Sequence, residues 1–277
     1  MKIIRLPGGK TTSQVGLGCG VLTGGLSLRS SRRMVETALD LGITHFDVAP
    51  SYGMGLAENA LGDVIGNDPS ITIATKVGIA RPLYSYWKDG VRLLLRGTMR
   101  KMPGVKQALL SSRALVSQSY STVSSREFVF NEKVLQASLE ESLKRLKRDR
   151  IEWLFAHEPS RAAMEQQARE GFDQLVTQSL ITSYGVGTID RGFEDLRFGA
   201  VLQTSWQNHQ ACPAPDGMFS SHFGVIRGAI DASNQSHGVG YMRKLLQNAL
   251  ASRPNDMFLI SAGTPARLRE LLAGIQD

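Results

Sequence analysis

Cysteine is scarce in this sequence of 277 residues, which contains only Cys19 and Cys212. Neither cysteine belongs to a paired motif, so the sequence supports neither a disulfide framework nor a cysteine-based metal site. The histidines, among them His157, His209 and His222, lack the HExxH-type spacing of a helical zinc site. We therefore expect no metal, and a reducing compartment fits this cysteine content.

Long apolar runs are also missing, since no stretch approaches the roughly 18 residues of a membrane-spanning helix. The first twenty residues contain Gly, Lys and Thr where a secretory signal would carry an unbroken apolar stretch. With 42% apolar and 21% charged residues, the composition is typical of a globular protein with a substantial core. We expect a cytoplasmic protein with no membrane contact.

Acidic residues are rare between Lys88 and Arg126, where eight basic residues accompany a single acid, Asp89. These charges are not interleaved with aromatic side chains on which nucleic-acid bases would stack. We therefore expect no nucleic-acid partner, despite the formal net charge of +7. The same charges favour a small substrate that carries a carboxylate or a phosphate.

Short β-rich runs alternate with amphipathic helical patterns from residue 14 onward, which favours βα units around a parallel sheet. The predicted strands are 14–20, 44–48, 71–76, 151–157, 183–186, 200–204, 223–226 and 257–261. The predicted helices are 30–41, 56–65, 131–146, 161–178, 191–196, 240–251 and 265–273. Eight strands with intervening helices predict an α/β fold, a single (β/α)8 TIM barrel over residues 1–277, with an N-terminal β-hairpin at its bottom.

Residues 78–127 interrupt this alternation after the third predicted strand. Loops of that length inside a compact domain are usually functional. Because the segment leaves the C-terminal end of a barrel strand, it is expected to lie over the active-site face. We interpret it as a substrate lid; the alternative is a surface insertion without a role in catalysis.

Four polar residues stand at or just beyond the ends of predicted strands: Asp47, Tyr52, Lys76 and His157. Taken singly, each is also compatible with a structural role. An ammonium that ends an apolar strand needs a carboxylate, and Asp47 on the neighbouring strand is the expected partner of Lys76. The Lys76 charge would lower the pKa of Tyr52 and make it a proton donor. His157 would hold the substrate oxygen, and a cofactor would have to supply any hydride.

The motif FDVAPSYGMGLAENALG, together with the lysine ending the third strand and the histidine ending the fourth, resembles the aldo/keto reductase family. The resemblance covers nearly the whole chain. It implies that Asp47, Tyr52, Lys76 and His157 form a catalytic tetrad, with Tyr52 as the general acid. The implied reaction is the reduction of an aldehyde or ketone to an alcohol, or its reverse, by hydride transfer.

The resemblance also implies a set of cofactor contacts. Gly187 and Thr188 stand where the family carries a Ser-Asn pair that holds the nicotinamide carboxamide. Gln203 matches a carboxamide-binding glutamine, and Trp206 takes the position of the ring that stacks on the nicotinamide. The residues matching the segment around the adenosine phosphate are Gly263, Thr264, Arg267 and Glu270. Because a guanidinium pairs bidentately with phosphate, Arg267 favours NADPH/NADP+ over NADH.

Two other functions stay open. One is a cofactor-binding regulatory barrel with slow turnover, because a fold does not fix a function. The other is a lyase or isomerase barrel that uses Lys76 as an amine nucleophile. The expected partner is a small carbonyl or alcohol substrate, and the expected state is a monomer or a small homo-oligomer.

Overall fold

A computed structural model describes residues 1–23, 26–82, 128–164, 166–193, 195–211, 213–228 and 238–275. Almost all of the segment interpreted as a lid, residues 78–127, therefore lies outside the described residues. The basic residues between Lys88 and Arg126 lie there as well.

Eight parallel strands close into a barrel in the order β10-β3-β4-β5-β6-β7-β8-β9, which confirms the predicted (β/α)8 architecture. The barrel strands are β3 (Val15–Gly18), β4 (His45–Asp47), β5 (Thr72–Val77), β6 (Ile151–His157), β7 (Ile181–Thr188), β8 (Val201–Ser205), β9 (Phe219–Phe223) and β10 (Met257–Ile260). Two short strands precede them, β1 (Ile3–Arg5) and β2 (Thr11–Ser13), which pair as the predicted antiparallel hairpin. Ile4 and Leu6 of this hairpin segment are buried in one cluster with Trp153 and Met257, so they fill the barrel bottom.

An outer layer of helices covers the barrel. The helices with both ends among the described residues are α1 (Leu28–Asp40), α2 (Ala57–Ile65), α3 (Glu132–Leu146), α4 (Gln166–Thr177), α5 (Trp206–Ala211), α6 (Val239–Ser252) and α7 (Pro265–Leu272). Helix α3 shows how the sequence specifies such an element. The Asn131 side chain accepts a hydrogen bond from the Val134 amide, at 3.0 Å, and caps the first turn. Leu135, Leu139 and Leu146 then bury the face that packs toward the barrel.

Three predicted elements differ from the structure. Strand β9 covers Phe219–Phe223 rather than 223–226, so residues 224–226 follow the strand instead of forming it. The predicted helix 191–196 is absent from the described residues of that stretch, which form bends and turns. Gly192 explains this, since its φ of 96° lies outside the helical region. The predicted helix 161–178 begins only at Gln166, after a short 3-10 turn.

The core of the described residues consists of two clusters. Inside the barrel, Trp153, Phe155 and Leu259 form a core near the hairpin, while a larger core lies between the strands and the outer helices. The C-terminal strand ends remain lined by polar side chains. Among the described helices, none combines the length and the apolar character that a membrane crossing requires.

Candidate active site

A closed network of charged and amide side chains forms the floor of a cleft at the C-terminal end of the barrel. Lys76 on β5 donates from Nζ to Asp47 Oδ2 at 2.5 Å and to Gln203 Oε1 at 2.9 Å. Gln203 on β8 donates from Nε2 to Asp47 Oδ2 at 2.7 Å and closes the triangle. The side chains of Lys76 and Asp47 are only 3% and 5% exposed, so each charge depends on the other for compensation.

Tyr52 and His157 stand directly above this floor. Tyr52 begins the 3-10 turn Tyr52–Gly55 that follows β4, and His157 ends β6. Their rings meet edge to face with centroids 6.0 Å apart, and Lys76 Nζ lies 5.9 Å from the Tyr52 ring centroid. All four residues proposed as a tetrad line one cleft of about 570 Å3, a volume suited to a small ligand.

The protonation of Tyr52 differs from the sequence-based expectation. The sequence predicts that Lys76 lowers the pKa of Tyr52, but burial and the charge of Asp47 raise that pKa well above its ordinary value. Burial is the largest cause, and the Lys76 ammonium does not offset it because that ammonium is paired with Asp47 within hydrogen-bond distance. Tyr52 is therefore a neutral phenol over the whole physiological pH range.

His157 is a neutral imidazole for a related reason. Burial, and secondarily the charge of Lys76, lower the pKa of His157 to about 3. Its Nδ1 atom is buried and has no hydrogen-bond partner among the described residues. A neutral ring next to the Tyr52 phenol can donate or accept one hydrogen bond at a substrate oxygen.

Glu158 is a cleft residue that the sequence reasoning missed. It follows β6 with a left-handed φ of 50° and lines the cleft. Its carboxylate accepts hydrogen bonds from Thr188 Oγ1 at 2.9 Å and from the Ile189 amide at 3.0 Å. Burial raises its pKa. The sequence feature that could have identified Glu158 is its position directly after His157, because a carboxylate at the end of a strand faces the same rim of the barrel as the other strand-end residues.

Comparison with known proteins agrees with this architecture. The sequence model of the aldo/keto reductase family matches residues 14–194. The chain belongs to the aldo/keto reductase family. It is similar to D-threo-aldose 1-dehydrogenase of a Pseudomonas species, with 28% identity over 161 residues, which cover 56% of this chain and 43% of that protein. The alignment thus spans less than half of the length of that curated relative.

Solved structures show the same fold at low sequence identity. The aldo-keto reductase AKR11C1 from Bacillus halodurans, in its holo form, superposes with a TM-score of 0.69 and 17% identity, over 100% of this chain and 91% of that one. An aldo-keto reductase from Klebsiella pneumoniae in complex with NADPH gives a TM-score of 0.63 and 14% identity, over 100% and 90% of the two chains.

Three of the predicted cofactor contacts of this aldo/keto reductase, namely Gly187, Gln203 and Gly263, line the cleft. The Thr188 hydroxyl is engaged elsewhere, because it donates to Glu158 and accepts from the Asp190 amide at 2.9 Å. Glu158 thereby engages the hydroxyl of Thr188, one of the two residues that stand in place of the family's Ser-Asn pair.

Trp206 does not line the cleft of this aldo/keto reductase. It begins α5, and its indole stacks on His209 with centroids 5.7 Å apart and meets Phe258 edge to face. Phe223, at the end of β9, lines the cleft instead. The sequence correctly indicated an aromatic residue directly after β8. It could not show that the Trp206 indole packs toward the outer layer of helices.

The residues expected at the adenosine phosphate lie around the start of α7. Thr264 caps this helix by accepting from the Arg267 amide at 3.2 Å. The Arg267 guanidinium contacts Glu270 at 3.4 Å and Met242 Sδ at 3.3 Å. The segment after β9, whose residues 225–228 are helical, was missed as a cleft element because residues 223–226 were predicted as a strand. Its cleft-lining residues are Gly224, Val225, Ile226 and Arg227.

Proposed function

We propose that this aldo/keto reductase is an NADPH-dependent oxidoreductase that reduces an aldehyde or ketone to an alcohol, or runs the reverse reaction, with Tyr52 as general acid or base. The observation that carries the proposal is the convergence of a neutral phenol and a neutral imidazole above a buried Lys76–Asp47 pair in one open cleft. A proton donor beside a fixed positive charge is what a carbonyl oxygen needs as it becomes an alkoxide.

Each side chain has a distinct part in this reaction. Tyr52 donates the proton from its hydroxyl to the substrate oxygen, and its raised pKa means that it releases the proton only to a strongly basic oxygen. His157 hydrogen-bonds the same oxygen and orients it. Lys76, held by Asp47 and Gln203, places a positive charge where the oxygen and then the phenolate become negative.

The cleft fits a nicotinamide cofactor at several points, and NADPH would supply the hydride when bound. Gly187 keeps the cleft wall flat, because a Cβ there would come within 3.1 Å of Gln203 Oε1. Gly187 would face the ring, and Gln203 and Glu158 would hold its carboxamide. Arg267 would bind the 2′-phosphate in place of Glu270, with which its guanidinium now makes a solvent-exposed contact. The Klebsiella pneumoniae neighbour holds NADPH by its description.

The substrate class rests on the relatives and on the charge of the chain. The curated relatives include D-threo-aldose 1-dehydrogenase and pyridoxal 4-dehydrogenase, which favours a small carbonyl compound or the matching alcohol or hemiacetal. The basic residues between Lys88 and Arg126 favour an anionic group on it. A single domain, a cytoplasmic location and a monomer or small homo-oligomer belong to the same proposal.

The geometry argues against the lyase or isomerase alternative. An amine nucleophile has to be reachable and at least partly unprotonated. Lys76 is 3% exposed and donates hydrogen bonds to both Asp47 and Gln203, so its amine is engaged as an ammonium-type donor rather than available for nucleophilic attack.

The test is NADPH oxidation with an aromatic aldehyde by the parent, by Tyr52→Phe and by Tyr241→Phe. Tyr241 is 44% exposed on α6 and serves as a matched control. We expect turnover to fall by about 100- to 10,000-fold in Tyr52→Phe, with NADPH binding retained, and to stay unchanged in Tyr241→Phe. Full turnover in Tyr52→Phe would refute the role of Tyr52. A parent that binds neither nicotinamide cofactor would refute the whole proposal.

A further inference from the structure

A second group of ligand-type side chains meets on the other side of the barrel wall. His209 comes from α5, His222 from β9, and Asp256 lies just before β10. Their relative exposures are 5%, 0% and 9%. One nitrogen or oxygen atom from each of the three lies within 4.8 Å of the others.

This cluster is separate from the catalytic cleft. Phe219 and Phe223 pack in the barrel interior. Successive side chains of a strand point to opposite faces, and His222 directly precedes Phe223, so His222 points to the outer face of β9. There it contacts Phe258, whose ring belongs to the core between barrel and helices, with centroids 5.0 Å apart. None of the three cluster residues lines the cleft.

The two histidines present nitrogen atoms without partners. His222 Nε2 pairs with Asp256 Oδ2 at 2.9 Å, and its Nδ1 is buried with no hydrogen-bond partner in the described part of the chain. The same holds for Nδ1 of His209. The two rings lie with centroids 4.2 Å apart. Buried nitrogens without partners are costly, and the nitrogen of a neutral imidazole is a common metal ligand.

We propose that His209, His222 and Asp256 form a binding site for one divalent transition-metal ion of the zinc type. Two imidazoles and one carboxylate are the donor set that such ions prefer, whereas Mg2+ and Ca2+ prefer oxygen donors alone. Tetrahedral coordination needs ligand atoms about 3.3 Å apart at zinc–nitrogen distances of about 2.0–2.1 Å. The three ligand atoms lie within 4.8 Å of one another, so a bound ion would draw them closer together, and three protein ligands would leave a fourth position for water.

Arg253 is the competing cation at this site. Its Nε donates to Asp256 Oδ2 at 2.8 Å and neutralises the carboxylate, but its side chain is 45% exposed and can turn into solvent. An incoming ion therefore displaces Arg253 from Asp256. Removing the guanidinium is expected to strengthen metal binding rather than weaken it.

Trp206 provides an optical signal for the site. Its ring centroid lies 5.1 Å from that of His222 and 5.7 Å from that of His209. A Co2+ or Ni2+ ion held by these two imidazoles would quench the indole fluorescence.

The experiment titrates the full chain, free of any polyhistidine tag and treated with a chelator, with Co2+, Ni2+ and Zn2+. Tryptophan fluorescence and calorimetry are both recorded, on the parent and on His209→Gln, His222→Gln, Arg253→Gln and, as a matched control, His45→Gln. We expect one ion per parent chain. Affinity should fall at least about tenfold in the two cluster histidine variants, rise in Arg253→Gln and stay unchanged in His45→Gln.

The Arg253→Gln variant tests the competition directly, because it frees Asp256 without removing a ligand. Because unfolded chains also bind these ions through exposed histidines, its urea unfolding is compared with that of the parent, and a gain in affinity supports the site only in a folded variant. Absence of binding by the parent, or equal binding by the parent and a folded His209→Gln variant, would overturn the proposal. The readout is independent of turnover, so it stands or falls apart from the reductase proposal.

Discussion

Replacing Lys76 with methionine removes one charge from an ion pair that is almost fully buried. The Lys76 and Asp47 side chains are 3% and 5% exposed, so water cannot take over the role of the lost ammonium. Leaving one buried charge uncompensated typically costs about 3–5 kcal/mol of the free energy of unfolding. Gln203 still donates to Asp47 Oδ2 at 2.7 Å in the variant. We therefore expect a loss near the lower end, about 3 kcal/mol.

A double-mutant cycle tests the coupling of the two charges by urea unfolding at pH 7. The variants are Lys76→Met, Asp47→Asn and the two combined. Because the double variant buries no charge, we expect it to be more stable than Lys76→Met, with a coupling energy of about 1–3 kcal/mol. Additive losses, with the double variant the least stable of the three, would refute the view that the pair acts as a unit.

Two further predictions concern buried groups away from the cleft floor. Burial, and secondarily the charge of Lys76, lower the pKa of His45 to about 3, so between pH 6.5 and 3 this histidine carries a proton in the unfolded chain but not in the native chain. The free energy of unfolding should therefore fall with decreasing pH in that window. In His45→Gln, the slope of this free energy against pH should be shallower by about 1.4 kcal/mol per pH unit. Equal slopes for the parent and the variant, measured by urea unfolding at several pH values, would contradict this. Glu58 is fully buried and pairs with Arg81 at 2.5 Å. In urea unfolding, Glu58→Gln should therefore lower the free energy of unfolding by about 1–3 kcal/mol. The control Glu140→Gln, on the exposed face of α3, should lower it by less than about 0.5 kcal/mol. A Glu58→Gln variant as stable as the surface control would show that this pair adds nothing.

The barrel could be predicted from the sequence because most strands are apolar runs that alternate with amphipathic helices. Strand β6 (Ile151–His157) is the clearest case, since its predicted and observed bounds agree. The bounds of strand β9 were predicted wrongly because its sequence, FSSHF, has polar residues at its centre. The hydrophobic pattern favoured the apolar residues that follow the strand. Burial in the structure does not obey this pattern, since Ser221 and His222 are fully buried.

The candidate site was predictable in position but not in electrostatics. Residues at the carboxyl ends of parallel strands meet at one rim, which placed Asp47, Lys76 and His157 together. The pKa of Tyr52 depends instead on its burial and then on the charge of Asp47. The hydrogen-bond network around Asp47 includes Gln203, which is 127 residues from Lys76 and 156 from Asp47 along the chain. The cluster of His209 and His222 was missed for the same reason, because no short spacing encodes it.

The parts of the site differ in how rigidly the fold holds them. Asp47, Lys76 and Gln203 sit on strands whose register is fixed by parallel pairing on both sides, as in the Lys76–Phe155 pairing of β5 with β6. Tyr52 instead stands on a turn, which is tied to the rest of the fold by a hydrogen bond from Thr23 Oγ1 to the Gly53 carbonyl at 2.9 Å. The buried charges, whose spacing decides their energy, are thus on the rigid barrel. Tyr52, the proposed proton donor, is the member of the proposed tetrad that stands on a turn rather than on a barrel strand.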